Sequence, residues 1–280
     1  MEKEKIKKKI DIKRFTSALL GLPLVVIMLT FGNKYVVDVF LAIIACIAMQ
    51  EYLNAISKDS KPVRWIGYIS CIFIALIHVA PENLSTNAIS NIVLLLIPTI
   101  LLILFSTIII TNMRINFKDI SYTLFGIIYI ITCISFIAKI RGLEKGRYLV
   151  WFAIIAAWGT DTFAYIIGKR FGKHKFSEVS PKKSIEGCVA GIIGAVVIAL
   201  IYTYAINSIN GFNYSYIYIT IFTIILSIIG QIGDFAASSI KRYVDVKDYS
   251  NLIPGHGGML DRIDSLMFLA PFAYVLLTII

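Results

Sequence analysis

Long apolar runs, separated by short charged loops, leave this chain few ways to fold. A helix needs about 20 predominantly apolar residues to cross the hydrocarbon core of a bilayer. Nine segments come close to that length or exceed it: 15–31, 35–56, 64–80, 91–111, 118–138, 147–168, 188–207, 214–240 and 263–280. Hydrophobic residues make up 58% of the chain and charged residues 16%, whereas a soluble domain carries about a quarter charged residues. Lipid is therefore the expected solvent, and the fold class is an all-α polytopic membrane protein with about nine transmembrane helices. Pro98 falls inside the fourth segment, where neighbouring helices can satisfy the freed backbone group. There is no internal repeat and no separate soluble domain.

The placement of Lys and Arg gives the orientation, because basic residues collect on the cytoplasmic side of a membrane protein. With the N-terminus in the cytoplasm, segments 1–14, 57–64, 112–118, 169–187 and 241–262 hold 22 of the 27 basic residues. Lys34, Lys139, Arg141, Lys145 and Arg147 fall on the other side, and the cluster at 139–147 runs against the rule. The expected organisation is a basic cytoplasmic segment (1–14), N-terminal transmembrane helices (15–146) and a C-terminal catalytic region (147–280). Loops 169–187 and 241–262 carry the polar part of that last region. No small-residue cleavage site closes the first apolar run, so it is expected to be retained as a span. The net charge of +10 is interspersed among apolar runs, which points to topology and anionic ligands and not to nucleic acid. Cys46, Cys71, Cys133 and Cys188 show no CxxC pairing, which argues against a disulfide framework or a zinc site.

Chemistry is expected where three helix ends meet the two long loops. Trp158, Asp161, Thr162 and Tyr165 follow the i, i+3, i+4, i+7 spacing of one helix face. Asp161 is roughly two turns from the loop that begins at Gly168. An acid at that depth usually faces a bundle interior and has a function, although an interhelical hydrogen bond would also account for it. The next loop holds Lys169, Arg170, Lys173, Lys175, Lys182 and Lys183. This basic density suits a triphosphate, and positive-inside bias alone would produce much of it. Lys182 and Lys183, which follow a Ser-Pro step, are the expected functional pair. His78 and His174 have no partner visible in the sequence.

In the eighth segment, Asp234, Ser238 and Lys241 again share one face. Pro254-Gly255 then makes a turn, and Gly257-Gly258 precede the last helix, so their backbone N–H groups are expected to form an anion cradle. Asp261 and Asp264 follow in the first turn of that helix. Helix capping would explain one of these acids but not both together with Asp234 and the adjacent bases. The set resembles a Mg2+-phosphate site, since Mg2+ takes one or two carboxylates plus phosphate oxygens and water.

The stretch Ser238-Ser239-Ile240-Lys241-Arg242, Lys247-Asp248, Ser250, Ile253-Pro254, His256-Gly257-Gly258 and Asp261-Arg262-Ile263-Asp264 resembles the signature of phosphatidate cytidylyltransferases (CDP-diacylglycerol synthases). Upstream, Trp158, Asp161-Thr162, Ala164-Tyr165, Gly168-Lys169, Gly172, Ser180-Pro181-Lys182-Lys183 and Glu186-Gly187 extend the likeness, with Ser184 and Ile185 where Thr and Trp are usual. The likeness is strong over about 158–265 and loose at Glu51. It implies an all-helical membrane enzyme of the plasma membrane, a homodimer, and a cytoplasm-facing site that takes CTP and phosphatidic acid. It also implies Mg2+, with room for a second cation such as K+. Asp234 and Asp261 then become metal ligands and Asp264 joins the same acidic cluster, with Lys241 and Arg242 beside them. Asp161, Tyr165, Lys182, Lys183, Ser238, Lys247, Asp248, His256, Gly257, Gly258 and Arg262 become the substrate-binding set.

Two other classes compete. A CTP-dependent polyprenol kinase would need a base for a neutral hydroxyl, and the 238–264 stretch argues against it. An ion or phosphate transporter would show acids near mid-bilayer and repeated halves, whereas here the polar residues gather on one side. The CDP-alcohol transferases need a D-G-x-x-A-R core that this chain lacks.

Overall fold

A computed structural model describes residues 19, 21–58, 60–79, 86–177, 180, 183–255 and 257–279, and for 86–93 the backbone only. The N-terminal basic segment, the start of the first expected span, Lys182 and His256 lie outside the described residues.

Nine helical rods run through the described residues: α1 (Gly21–Phe31), α2 (Lys34–Ile56), α3 (Arg64–Ala75), α4 (Thr86–Ile110), α5 (Phe117–Gly142), α6 (Gly146–Phe171), α7 (Ile185–Asn210), α8 (Tyr216–Tyr243) and α9 (Leu260–Leu277). Among the described residues there is no sheet, only isolated antiparallel bridges at Lys175–Ser184 and Ile253–Gly257. Five rods (α2, α5, α6, α7 and α8) are long and apolar enough to cross a membrane. α1, α3 and α9 are shorter, and α4 is apolar over Leu94–Ile110.

Local chemistry sets the helix starts. Asn33 accepts from Val36 N at 2.9 Å to begin α2. Asn116 and Asp119 form a reciprocal capping box at α5, and Ser184 accepts from Gly187 N at 3.1 Å to begin α7. Each side chain satisfies a backbone donor that the helix itself leaves open. Gly211 ends α7 with φ +66°.

Small residues bring the C-terminal helices together. A Cβ on Gly191 would lie 2.7 Å from the Thr160 carbonyl oxygen, and one on Gly187 would lie 2.8 Å from that of Ala164. The ridge of Gly187, Gly191 and Ala195 therefore packs α7 against α6 within one chain, a close backbone approach of the kind small residues allow in membranes. Thr160 Oγ1 meets Ser227 Oγ at 2.8 Å, joining α6 to α8. Gln231 Nε2 donates to the Cys188 carbonyl at 3.3 Å, joining α8 to α7.

Side-chain bonds sort the loops to two ends. At one end, Lys61 N donates to Asp119 Oδ1 (2.7 Å), Tyr122 and Tyr243 hydroxyls meet (2.8 Å), and Lys58 reaches the Val244 and Asp245 carbonyls at the close of α8. At the other end, Arg141 donates to the Leu29 and Gly32 carbonyls (2.9 and 2.6 Å), and Tyr148 OH donates to Asn210 Oδ1 (3.2 Å). Here His78 Nδ1 meets the fully buried Asp38 Oδ2 at 2.7 Å, which supplies the histidine with a partner 40 residues away. Arg141 thus caps the open carbonyls of α1, a structural use for one residue of the cluster that runs against the positive-inside rule. The described residues of 57–63, 112–116 and 244–255 lie at one end.

Two helices depart from regular geometry. Ile127–Thr132 in α5 and Ile155–Gly159 in α6 are π-helical turns. The second ends two residues before Asp161, and such turns often accompany functional positions.

Candidate active site

The loop between α8 and α9 is held by two buried carboxylates. Asp261 is 7% exposed. Its Oδ1 accepts from Lys241 Nζ at 2.7 Å, and its Oδ2 accepts from Tyr249 N at 2.9 Å and Gly258 N at 3.0 Å. Lys241 is itself 8% exposed, so the pair neutralises two charges that would otherwise be costly to bury. The Lys241 ammonium also lies 5.5 Å from the centre of the Tyr249 ring. Burial, reinforced by the negative charge of Asp261 and Asp264, pushes the Tyr249 hydroxyl well above its usual pKa.

The second carboxylate comes from the other half of the chain. Glu51, near the end of α2, accepts from Ser250 Oγ at 2.6 Å and Met259 N at 2.9 Å through Oε1, and from Leu260 N at 2.8 Å through Oε2. It thereby caps α9, placing a negative charge where the helix dipole favours one. Glu51 is a major organiser of the site, and its sequence signal was only the loose likeness already noted.

These bonds overturn the expectation of an outward-facing amide cradle. The N–H groups of Gly258, Met259 and Leu260 donate to Asp261 and Glu51, and Gly257 N donates to the Ile253 carbonyl at 3.2 Å. Two nearby side-chain acids took the amides that the glycine pattern alone offered to a phosphate. Gly257 is still needed as glycine, with φ +88° and an added Cβ only 3.2 Å from Asp261 Oδ2.

The remaining acids gather next to this loop. Asp161 Oδ2 accepts from Ser265 Oγ at 3.0 Å, and Asp264 Oδ1 accepts from Ser265 N at 2.9 Å, so one residue brackets both. Asp161, Asp234 and Asp264 lie within electrostatic reach of one another. Asp234 forms an ion pair with Lys183, joining α8 to the loop before α7. Lys183 also sits 4.6 Å from the centre of the Phe235 ring. The basic loop is braced by Glu186, which accepts from His174 Nδ1 at 2.6 Å.

Other expected site residues are more peripheral. Ser238 is half-buried on α8, and Arg242, Lys247, Asp248 and Arg262 are exposed. Arg242 Nη1 donates to the Val246 carbonyl at 3.2 Å. Tyr165 is 66% exposed and takes the Lys169 ammonium 5.7 Å from its ring centre, while Trp158, Asp161 and Thr162 from the same face line a cavity. That cavity, of about 460 Å3, has Asp161, Asp261, Arg262 and Asp264 at its polar end and apolar walls from α1, α2, α5, α6 and α9.

Residues 12–280 match the profile of the cytidylyltransferase family. The chain belongs to that family. A phosphatidate cytidylyltransferase of Staphylococcus haemolyticus is 33% identical over 265 residues, which cover 94% of this chain and 98% of that protein. One of Staphylococcus saprophyticus is 35% identical over 239 residues, covering 85% and 88% of the two chains. One of Bacillus subtilis is 39% identical over 182 residues, covering 64% of this chain and 66% of the relative. The family match runs through both halves of the chain, so Glu51 and the 238–264 stretch fall within one matched unit.

Membership makes Mg2+ the group to test against these residues. Among the described residues, no three His, Cys, Asp or Glu side chains come close enough to hold an ion alone. Mg2+ needs only one or two protein carboxylates when phosphate oxygens and water complete its shell. Asp161, Asp234 and Asp264 offer hard oxygen donors in one place, so the donor set fits.

Proposed function

We infer that this chain transfers the cytidylyl group of CTP to phosphatidic acid, giving CDP-diacylglycerol and pyrophosphate. The observation that carries the reading is a juxtaposition. Within a helical bundle of the cytidylyltransferase family, acids meet Arg262 at the mouth of an apolar cavity, and Lys241 is bonded to one of those acids. A water-soluble triphosphate and a membrane lipid need this kind of shared boundary.

The phosphate oxygen of phosphatidic acid is already anionic. It attacks the α-phosphorus of CTP, forming one P–O bond while the bond to the pyrophosphate oxygen breaks. No base is required, and the barrier is set by charge repulsion and by charge developing on the leaving group. Lys183 and Lys241 supply positive charge to those oxygens, and exposed Arg262 meets the lipid phosphate at the cavity mouth. Both lysines are paired with acids, so bound phosphates compete for the ammonium groups while the carboxylates become available to a cation. One or two of Asp234, Asp261 and Asp264 would hold Mg2+ together with phosphate oxygens and water, with Asp161 next to them. Asp261 does so only after sharing the bonds that position the loop. When bound, Mg2+ would neutralise phosphate charge and assist departure of pyrophosphate.

The same reading places Ser238, Lys247, Asp248, Arg242, Tyr165, Lys182 and His256 around the nucleotide, at its rim. Gly257 and Gly258 act through loop shape. The division of loops between two ends, with the basic residues mostly at one, supports nine spans with the N-terminus and the site facing the cytoplasm, in the plasma membrane. A homodimer and a second cation such as K+ complete the proposal.

Purified protein is offered CTP with either phosphatidic acid or a polyprenol, with and without Mg2+. CDP-diacylglycerol is expected from phosphatidic acid with Mg2+ present. Phosphorylated polyprenol as the product would overturn the assignment.

A further inference from the structure

Only the mouth of the apolar cavity enters the chemistry described so far, and its walls come largely from the half of the chain that supplies no reacting group. Its polar end is made by Asp161, Asp264 and Arg262, and its walls include Val25 of α1, Ile44 of α2 and Ile137 of α5. Glu51 lies level with the start of α9, since it binds the first amides of that helix, and Asp264 is four residues further along it. Ile44 is seven residues before Glu51 along α2, and Phe40 is four further back. At 1.5 Å per residue, Ile44 and Phe40 lie about 10 and 16 Å below Glu51, and about 4 and 10 Å below Asp264.

We propose that this cavity is the berth of one acyl chain of the lipid substrate, and that Val25 and Ile44 limit the length of chain it accepts. The proposal rests on the reading of phosphatidic acid as acceptor. Size favours one chain: a water in the liquid fills about 30 Å3, a methylene fills a similar volume, and about 460 Å3 therefore holds roughly fifteen methylenes. Position favours the lipid acceptor, because the exposed Arg262 lies at the mouth, where it can pair with a phosphate whose acyl chain is seated below.

The energetics differ from binding out of water. A chain that enters from the bilayer gains little from burial, because lipid tails are as apolar as Leu, Ile or Val. The cavity therefore selects by shape and position. A chain seated to its full depth fixes the height and angle of the phosphate at the site. A chain blocked partway lifts the phosphate out of line, and a displacement of about 1 Å can cost up to ~100-fold in rate.

The test places bulk at half-buried wall positions, where a larger side chain displaces lipid space before core. Full-length Val25→Trp and Ile44→Trp proteins are assayed in mixed micelles with dioleoyl- and dioctanoyl-phosphatidic acid. The expected result is a fall of about tenfold or more in the ratio of kcat/KM for the long chain over the short one, with KM for CTP unchanged. Val25→Ala is expected to move the ratio the other way. A parallel loss on both lipids, or no change in the ratio, overturns the proposal. If Ile44→Trp fails to fold, Val25→Phe carries the same comparison. A phosphatidic acid with a diazirine at the end of one chain provides a readout independent of turnover. Labelling on the wall helices α1, α2, α5, α6 or α9 supports the berth, and labelling confined to α3, α4, α7 or α8 overturns it. Inactivity of the unsubstituted protein on both lipids would instead overturn the assigned reaction.

Discussion

The two halves of this molecule use charge in opposite ways. In α6–α9, acids and bases converge from four elements: Asp161, Lys183, Asp234, Lys241, Asp261 and Asp264 all meet around one loop. In α1–α5, buried charges are few and are used singly, as clamps. Asp38 holds His78 at the far end, Asp119 secures the 57–63 loop and its own helix start, and Glu51 alone crosses into the other half. Clustered like charges are costly and persist where a ligand uses them. A paired charge can simply fasten helices together. On the proposed reading, the clustered residues react and the single ones fasten, with Glu51 on the border.

Substituting the clustered acids tests the first side of that contrast. Asp234→Ala and Asp264→Ala are expected to lose about 1,000-fold or more in kcat while keeping their elution profile and melting behaviour in detergent. A variant that retained more than a tenth of the activity would remove that acid from the reacting set.

Glu51 sharpens the border. Glu51→Ala leaves the Met259 and Leu260 amides without their acceptor, and each buried group so orphaned costs about 1–3 kcal/mol. The α9 start and the loop then shift, and kcat is expected to fall roughly 100-fold with a smaller change in KM for CTP. Glu51→Gln keeps one carbonyl acceptor and is expected to recover a large part of the rate. Equal losses in both variants would show that the negative charge itself acts on the reaction.

The far-end clamp should behave differently. Asp38→Ala removes one partner of a buried pair and is expected to cost about 3 kcal/mol of stability, read as a lower melting temperature. Activity per folded molecule should stay within about twofold of the unsubstituted enzyme, because this pair sits at the opposite end from the site. A loss of turnover in protein that melts normally would connect the two ends and break the comparison.

Helix positions were largely legible from apolar runs. The expected segments 35–56 and 147–168 correspond to Lys34–Ile56 and Gly146–Phe171, because a bilayer imposes length on any helix that spans it. The acids were legible too, since a carboxylate is conspicuous in an apolar run. Pairing was much less so. Asp234, Ser238 and Lys241 share a helix face, yet Lys241 bonds Asp261 and Asp234 bonds Lys183. Spacing along one helix says nothing about which neighbour crosses it. Glu51 is 199 residues from Ser250, and no local pattern reports a bond of that range. The Gly257-Gly258 amides were misread for the same reason. Their acceptors included an acid from the distant half of the chain.

The π-helical turn at Ile155–Gly159 makes α6 a shaft keyed at both ends. Before it, Phe152 is locked edge-on between Tyr202 and Phe222, with ring centres 5.1 and 6.2 Å away. After it, the Thr160 and Ala164 stretch is locked against Gly187 and Gly191. A regular α-helix turns about 100° per residue, and the wider turn absorbs the phase difference between the two keyed ends. A π turn holds one residue more than an α turn, so a single deletion within 155–159 would restore a regular helix with both ends in place. A second deletion would force a choice of register: either Phe152 leaves its aromatic slot, or Asp161 swings away from Ser265 and out of the acid cluster. The orientation of the carboxylate is thus set by the residue count of a segment that bears no charge.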